Sequence, residues 1–192
     1  MSRNNRADVV SAAGRLFAAR GYHGTSMRQL GRELGMLGSS LYSHVDGKQD
    51  LLVEVVERGA GFFQASAEDA LRVPGTGADR LLALIAGHIG VVLDHIDEVR
   101  TFLYEADALD EQHRQRVIEA RDLYEAAFRS VIGEGIDDGS LDAADPILAA
   151  IFLLSILNAV ERWYREGGRV DRGQLVVAIF AFVMEGIAPR RG

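Results

Sequence analysis

The chain has 192 residues, 48% hydrophobic and 26% charged, with no cysteine. That composition excludes a disordered or fibrous chain, and the missing thiols exclude disulfides, zinc–thiolate centres and cysteine nucleophiles. Net charge is −7 but uneven: residues 1–48 hold seven basic against three acidic side chains, and residues 49–192 hold 14 against 25, so only the head suits a polyanion.

Helical spacing runs through the whole chain, and no segment alternates as a half-buried strand does. Val9, Ala12, Ala13, Leu16 and Phe17 form the first apolar stripe, which stops near Gly21. Ser26 with Gln29, or Thr25 one residue earlier, can start a second helix that reaches about Leu34 and breaks at Gly35. A third short helix fits Gly38 to Val45. Asp46 with Gln49 predicts the capped start of a long fourth helix ending near Leu71, and RVPGTG after it reads as a linker. Further helices fit Ala78–Asp94, Glu98–Ala106, Asp110–Gly133, Pro146–Glu166 and Arg172–Ile187. Asp145-Pro146 and Asp171…Gln174 supply caps, and Pro189 falls at a final helix boundary. The expected fold is all-α with about nine helices. Ile147–Val160, interrupted by Ser155 and Asn158, is shorter than the ~20 residues of a membrane span. MSRNNRADVV lacks the apolar core of a signal peptide, so a soluble cytoplasmic chain without membrane attachment is expected.

Three short helices in the first 45 residues fit a helix-turn-helix, in which one helix crosses the phosphate backbone and the next enters the major groove. Leu30, Leu34, Leu41 and Val45 suit the crossing of the two helices. Gly38, Ser39 and Ser40 leave backbone N–H groups and hydroxyls for phosphate or base edges, and Tyr42 and His44 lie on the outer side. Lys48 opens the fourth helix, where the helix dipole disfavours a cation unless an anion is near.

The run Thr25-Ser26…Leu30-Gly31-Arg32-Glu33-Leu34-Gly35-Met36…Ser40-Leu41-Tyr42-Ser43-His44-Val45…Lys48…Leu51-Leu52, entered through LFAARGYHGTS, resembles the DNA-binding head of TetR-family transcriptional regulators. The resemblance implies a helix-turn-helix domain over residues 1–47 and a ligand-binding and dimerisation domain over 48–192, linked by helix 48–71. It implies operator contacts from Thr25, Arg28, Leu37, Gly38, Ser39, Ser40, Tyr42, Ser43, His44 and Lys48, mostly to phosphate, with residues 37–40 and 43 reading bases.

Two heads on one operator multiply a weak affinity, so the body should dimerise. Residues 146–166 and 172–187 are apolar nearly all round and suit a four-helix two-fold interface. Glu161-Arg162-Trp163-Tyr164-Arg165-Glu166-Gly167-Gly168, with Glu105…Asp110 and Ile132…Gly139, resembles the TetR branch that senses acyl-CoA thioesters. That likeness implies a small-molecule effector, an acyl-CoA, met by Phe63, Phe102, Tyr124, Arg162 and Trp163. The same residues also fit a plain aromatic core and a capped helix end. The resemblance implies a repressor released from double-stranded operator DNA by its effector. The alternative is a helical interaction module, or a small-molecule-binding protein that does not bind operator DNA.

No GxSxG, Walker A, HExxH or GxGxxG pattern marks an enzyme. His88 and His95, seven apart beside Asp94, are a conceivable metal pair, but lone helix histidines are more often surface or core. No enzyme activity, metal or cofactor is expected.

Overall fold

The structure is a computed structural model describing residues 5–187, with the side chains of Ser39 and Ile187 outside the description. Pro189, and the base-reading roles expected of Gly38 and Ser39, lie outside the described residues. Among the described residues there are nine α-helices and a 3₁₀ turn, with no strand. The chain divides into two compact units: residues 1–61 with 95–120, and residues 62–94 with 121–192.

The first unit contains α1 (Arg6–Arg20), α2 (Met27–Glu33), α3 (Gly38–Leu41), the start of α4 (Lys48–Leu71), α6 (Ile96–Tyr104) and the 3₁₀ turn Ala106–Ala108. Asn5 and Asp8 close a capping box on α1, and Ser26 and Gln29 close one on α2 as predicted. Val9, Val10, Ala12, Ala13 and Phe17 are buried on α1, which packs on α6.

The third helix is shorter than its predicted span to Val45. Ser43 Oγ donates to the Ser40 carbonyl at 2.7 Å, the acceptor that the His44 N–H would use in a continuing α-helix. His44 N–H turns to the Leu41 carbonyl instead, at 3.0 Å, and the helix closes in turns. The predicted Asp46–Gln49 box is absent too. The Asp46 N–H donates to Asp50 at 3.3 Å, and Gln49 bonds Tyr22 and Ala108.

The second unit contains the rest of α4, α5 (Gly77–Asp94), most of α7 (Glu111–Asp137), α8 (Pro146–Trp163) and α9 (Arg172–Ile187). Helix α5 is its axis: Leu81, Leu84, Ile85, Ile89 and Val92 are fully buried, and α8 and α9 pack on it. Its first residue, Gly77, lies so close to α7 that a Cβ there would stand 2.3 Å from the Gly135 backbone. Helix α7 runs past its predicted end at Gly133, because a glycine inside a helix costs only about 1 kcal/mol. The turn comes at Gly139, whose φ of +77° lies in the left-handed region.

Helix α8 starts as predicted, Asp145 accepting from the Ile147 and Leu148 N–H groups with Pro146 at the first turn. It ends three residues short of Glu166, where the Arg165 guanidinium caps the Arg162 and Tyr164 carbonyls. One face buries Ala150, Leu153, Leu157 and Val160, while Ile147, Leu148, Ile151 and Phe152 are exposed. Helix α9 repeats this, burying Leu175, Ile179 and Val183 and exposing Val177 and Phe182. Among the described residues only α8 has the length and apolar composition of a membrane span, and at 18 residues it is a short one.

Candidate DNA interface and effector cluster

Around the turn between α1 and α2, Tyr22 ties three segments together. Its N–H donates to Glu105 at 2.8 Å, its hydroxyl to Gln49 Oε1 at 2.7 Å, and its carbonyl accepts from Lys48 Nζ at 2.9 Å. The ammonium also donates to the Thr25 carbonyl at 2.8 Å and stands 4.0 Å over the Tyr22 ring. Burial pushes the Tyr22 phenol above its ordinary pKa, so it stays a neutral donor. The anion that Lys48 seemed to need is thus supplied by two carbonyl dipoles at the end of the α1–α2 turn.

Thr25 differs from its expected role. Its side chain is 4% exposed, and its hydroxyl lies 3.0 Å from the Gly21 carbonyl and 3.3 Å from that of Leu16. It closes the turn rather than offering a hydroxyl to phosphate. A second tie, missed in the sequence, is Arg6: it donates to the His44 carbonyl and pairs with Asp50 at 3.2 Å and Glu54 at 2.7 Å. The end of the α3 segment is thereby fastened to α1 and to the first two turns of α4.

With these ties made, the outward residues are plain. Leu37 is 78% exposed, Tyr42 57%, and Arg28, Ser40 and Ser43 are also exposed, while Leu41 and Val45 anchor the segment from beneath. His44 is half-buried. Ser43 is partly committed through its bond to Ser40. An exposed apolar Leu and a phenol on a pinned turn can contact base methyls and phosphate respectively.

In the second unit the structure joins two of the five effector residues. The Phe63 and Tyr124 rings lie 5.2 Å apart, with Phe128 5.4 Å from Tyr124 and His88 4.9 Å from Phe63. Arg162 and Trp163 are exposed at the end of α8, Arg162 against Glu161 at 3.4 Å and Trp163 edge-on to Tyr164 at 6.4 Å, outside that buried cluster. Phe102 belongs to the first unit, where its Cβ would be 3.0 Å from a Cβ at Gly59. Asp94, offered as a metal ligand beside His88 and His95, is ion-paired with Arg172.

The sequence reading weighed His88 only as half of a metal pair or as an ordinary surface or core histidine. It is 1% exposed, and its Nδ1 meets the Tyr124 hydroxyl at 3.2 Å. Burial pushes its pKa down from 6.5 to about 3 and pushes the Tyr124 phenol up, so both are neutral. The signal was present: His88 falls in register with Leu81, Leu84, Ile85 and Ile89 on the buried stripe of α5.

Ile132 of α7, Phe152, Leu153 and Ile156 of α8 and Phe182 and Val183 of α9 border an apolar hollow of about 390 Å³.

Two family models match: "Bacterial regulatory proteins, tetR family" over residues 9–55 and "Tetracyclin repressor-like, C-terminal domain" over residues 74–187. The chain is similar to the HTH-type transcriptional repressor KstR2 of Mycobacterium tuberculosis, with 26% identity across 96% of this chain and 93% of that protein. The structure of the ketosteroid transcriptional regulator KstR2 from the same organism superposes with a TM-score of 0.90 at 23% identity, over 99% of this chain and 98% of that one. AibR in complex with isovaleryl coenzyme A and operator DNA gives a TM-score of 0.84 at 22% identity, over 93% and 97%.

Proposed function

Since the chain belongs to the tetR family of bacterial regulatory proteins, we propose that it is a cytoplasmic, non-enzymatic repressor that leaves its operator when an acyl-coenzyme A thioester binds. The observation that carries the DNA half is the α3 segment held at its His44 carbonyl by Arg6, with Leu37, Ser40 and Tyr42 facing out, beside an α1–α2 turn held by Lys48. Residues 1–47 form the DNA-binding domain and residues 48–192 the effector and dimerisation domain, with α4 as the link. Arg28 and Tyr42 bind phosphate, residues 37–40 and 43 read bases, and His44 and Lys48 border the interface. Two chains join through the exposed apolar faces of α8 and α9, placing two such segments one duplex turn, about 34–36 Å, apart. The thioester class is supported by the likeness to AibR, whose structure holds isovaleryl coenzyme A, and by the acyl-CoA-type pattern around Arg162-Trp163.

The test selects an operator from random duplex DNA and measures affinity against salt. Log K should fall steeply with log [salt], by about 0.9 per phosphate contacted, and Tyr42→Phe should weaken binding without changing the dimer. Binding that ignores salt, or no duplex recovered at all, refutes the DNA reading. Operator complexes untouched by saturating acyl-coenzyme A refute the effector reading alone.

A further inference from the structure

Helix α5 buries a histidine in an otherwise aliphatic stripe, although a leucine would fill that place without desolvating a polar ring. Its Nε2 is buried and meets no hydrogen-bond partner among the described residues. Such orphans are rare and costly, and they concentrate where function requires them.

The protonation pattern follows from counting partners. Among the described residues the Tyr124 hydroxyl meets one hydrogen-bond partner, His88 Nδ1. If Nδ1–H donated to the phenol oxygen, both the phenol hydrogen and the Nε2 lone pair would lack a partner. If the phenol donates to Nδ1, only the Nε2–H is left over, which is the cheaper arrangement. His88, packed against the Phe63 and Tyr124 rings with Phe128 against Tyr124, therefore carries one uncommitted N–H donor.

We infer that His88 is the effector-reading residue of this chain: its Nε2–H donates to an uncharged carbonyl oxygen on a largely apolar effector, seated among Phe63, Tyr124 and Phe128. A charged group is disfavoured there by the same burial that keeps the imidazole neutral. A thioester carbonyl meets the requirement, and the phosphates of its coenzyme A stay outside the cluster. This inference rests on the proposed effector response and names the group that is read. Phe63 rides on α4, the helix whose first turn bonds the Tyr22 carbonyl, so an effector that displaces its ring acts on the helix that holds the head.

The experiment compares octanoyl-coenzyme A with S-octyl-coenzyme A, a thioether of the same length without the carbonyl. Binding is measured by calorimetry to wild type, to His88→Leu/Tyr124→Phe and to His88→Gln. The double variant removes both polar partners together, so it should fold and melt no lower than wild type. Wild type should prefer the thioester by about ten- to a hundred-fold, the double variant should show no preference, and Gln, which keeps an N–H donor, should recover part of it. An unchanged preference in the double variant overturns the inference while leaving the thioester reading intact. If neither coenzyme A ligand binds wild type, but the uncharged diketone androstenedione stabilises it and not the double variant, His88 stands and the thioester reading falls. No response of wild type to any of the three probes overturns the inference.

Discussion

Replacing Lys48 with Met separates two jobs that a lone lysine at the edge of a DNA interface can have. Methionine keeps the stem but deletes an ammonium that donates to the Tyr22 and Thr25 carbonyls at 2.9 and 2.8 Å and covers the Tyr22 ring at 4.0 Å. Hydrogen bonds to a charged donor are worth about 1.5–3 kcal/mol each, and the site is half-buried, so water recovers part of that and a net loss of about 2–3 kcal/mol remains. For a chain of this size each kcal/mol moves Tm by about 2–4 °C, giving a fall of about 4–12 °C at fixed protein concentration. Calorimetric melting provides the Tm, and operator affinity across a salt series provides the slope. A structural Lys48 lowers Tm and leaves the salt slope unchanged, with affinity reduced because the head is less well held. Unchanged Tm with a slope shallower by about 0.9 would show that the ammonium's main partner is a phosphate, and the carbonyl reading of this site would be wrong.

Three further outcomes follow from the packing. Because burial lowers the folded pKa of His88 from 6.5 to about 3, the unfolded chain binds one more proton between those values. Stability is complete above pH 6.5 and falls with acid, so from pH 6.5 to 4.5 wild type should lose about 1.4 kcal/mol per unit more than His88→Leu/Tyr124→Phe in urea titrations. The carboxyls Asp79, Asp110 and Asp138, held below their ordinary 3.8, stabilise above that pH and lose their contribution only as the pH falls through it, so parallel profiles would remove His88 as the source. Gly77→Ala puts a methyl 2.3 Å from the Gly135 backbone and should cost about 1–3 kcal/mol, whereas Gly133→Ala, with open space at its Cβ, should gain about 0.5–1 kcal/mol. Equal melting of the two variants would contradict the close approach. Phe152→Asp and Phe182→Asp, at positions 63% and 65% exposed, should yield folded monomers in sedimentation velocity; a persistent dimer would move the interface elsewhere.

Legibility divided along sequence separation. The Ser26–Gln29, Asp145–Pro146 and Asp171–Gln174 helix starts could be read because each cap and its partner lie within three residues. The Asp46–Gln49 box looked equally good, yet Gln49 spends its amide on Tyr22 and Ala108, 27 and 59 residues away. No local rule shows that competition. The end of the third helix turned on one hydroxyl choosing a carbonyl, and the end of α7 on which of Gly133, Gly135 and Gly139 took a positive φ. Apolar residues nearly all round marked α8 and α9 as helices needing cover on two sides, but nothing in the sequence separated Phe63 and Tyr124, whose rings meet, from Arg162 and Trp163, which stand exposed. A helix end is polar whether it borders a ligand or water.

The same division explains why the ties at the start of α4 were the hardest to see. Lys48, Gln49, Asp50 and Glu54 are four polar residues in the first two turns of one helix, and their composition alone describes a solvated helix start. In the structure each is spent on the head: Lys48 and Gln49 on Tyr22, Asp50 and Glu54 on Arg6, which in turn holds the His44 carbonyl. Individually these are partly exposed contacts of modest worth, so none of them locks the head outright. Collectively they make the orientation of the exposed segment depend on the pose of α4. A rotation of that helix by even a fraction of a turn must break several of them together. Weak, numerous and concentrated on one element is the arrangement a regulator needs, since an effector can shift an equilibrium only by its own differential binding energy.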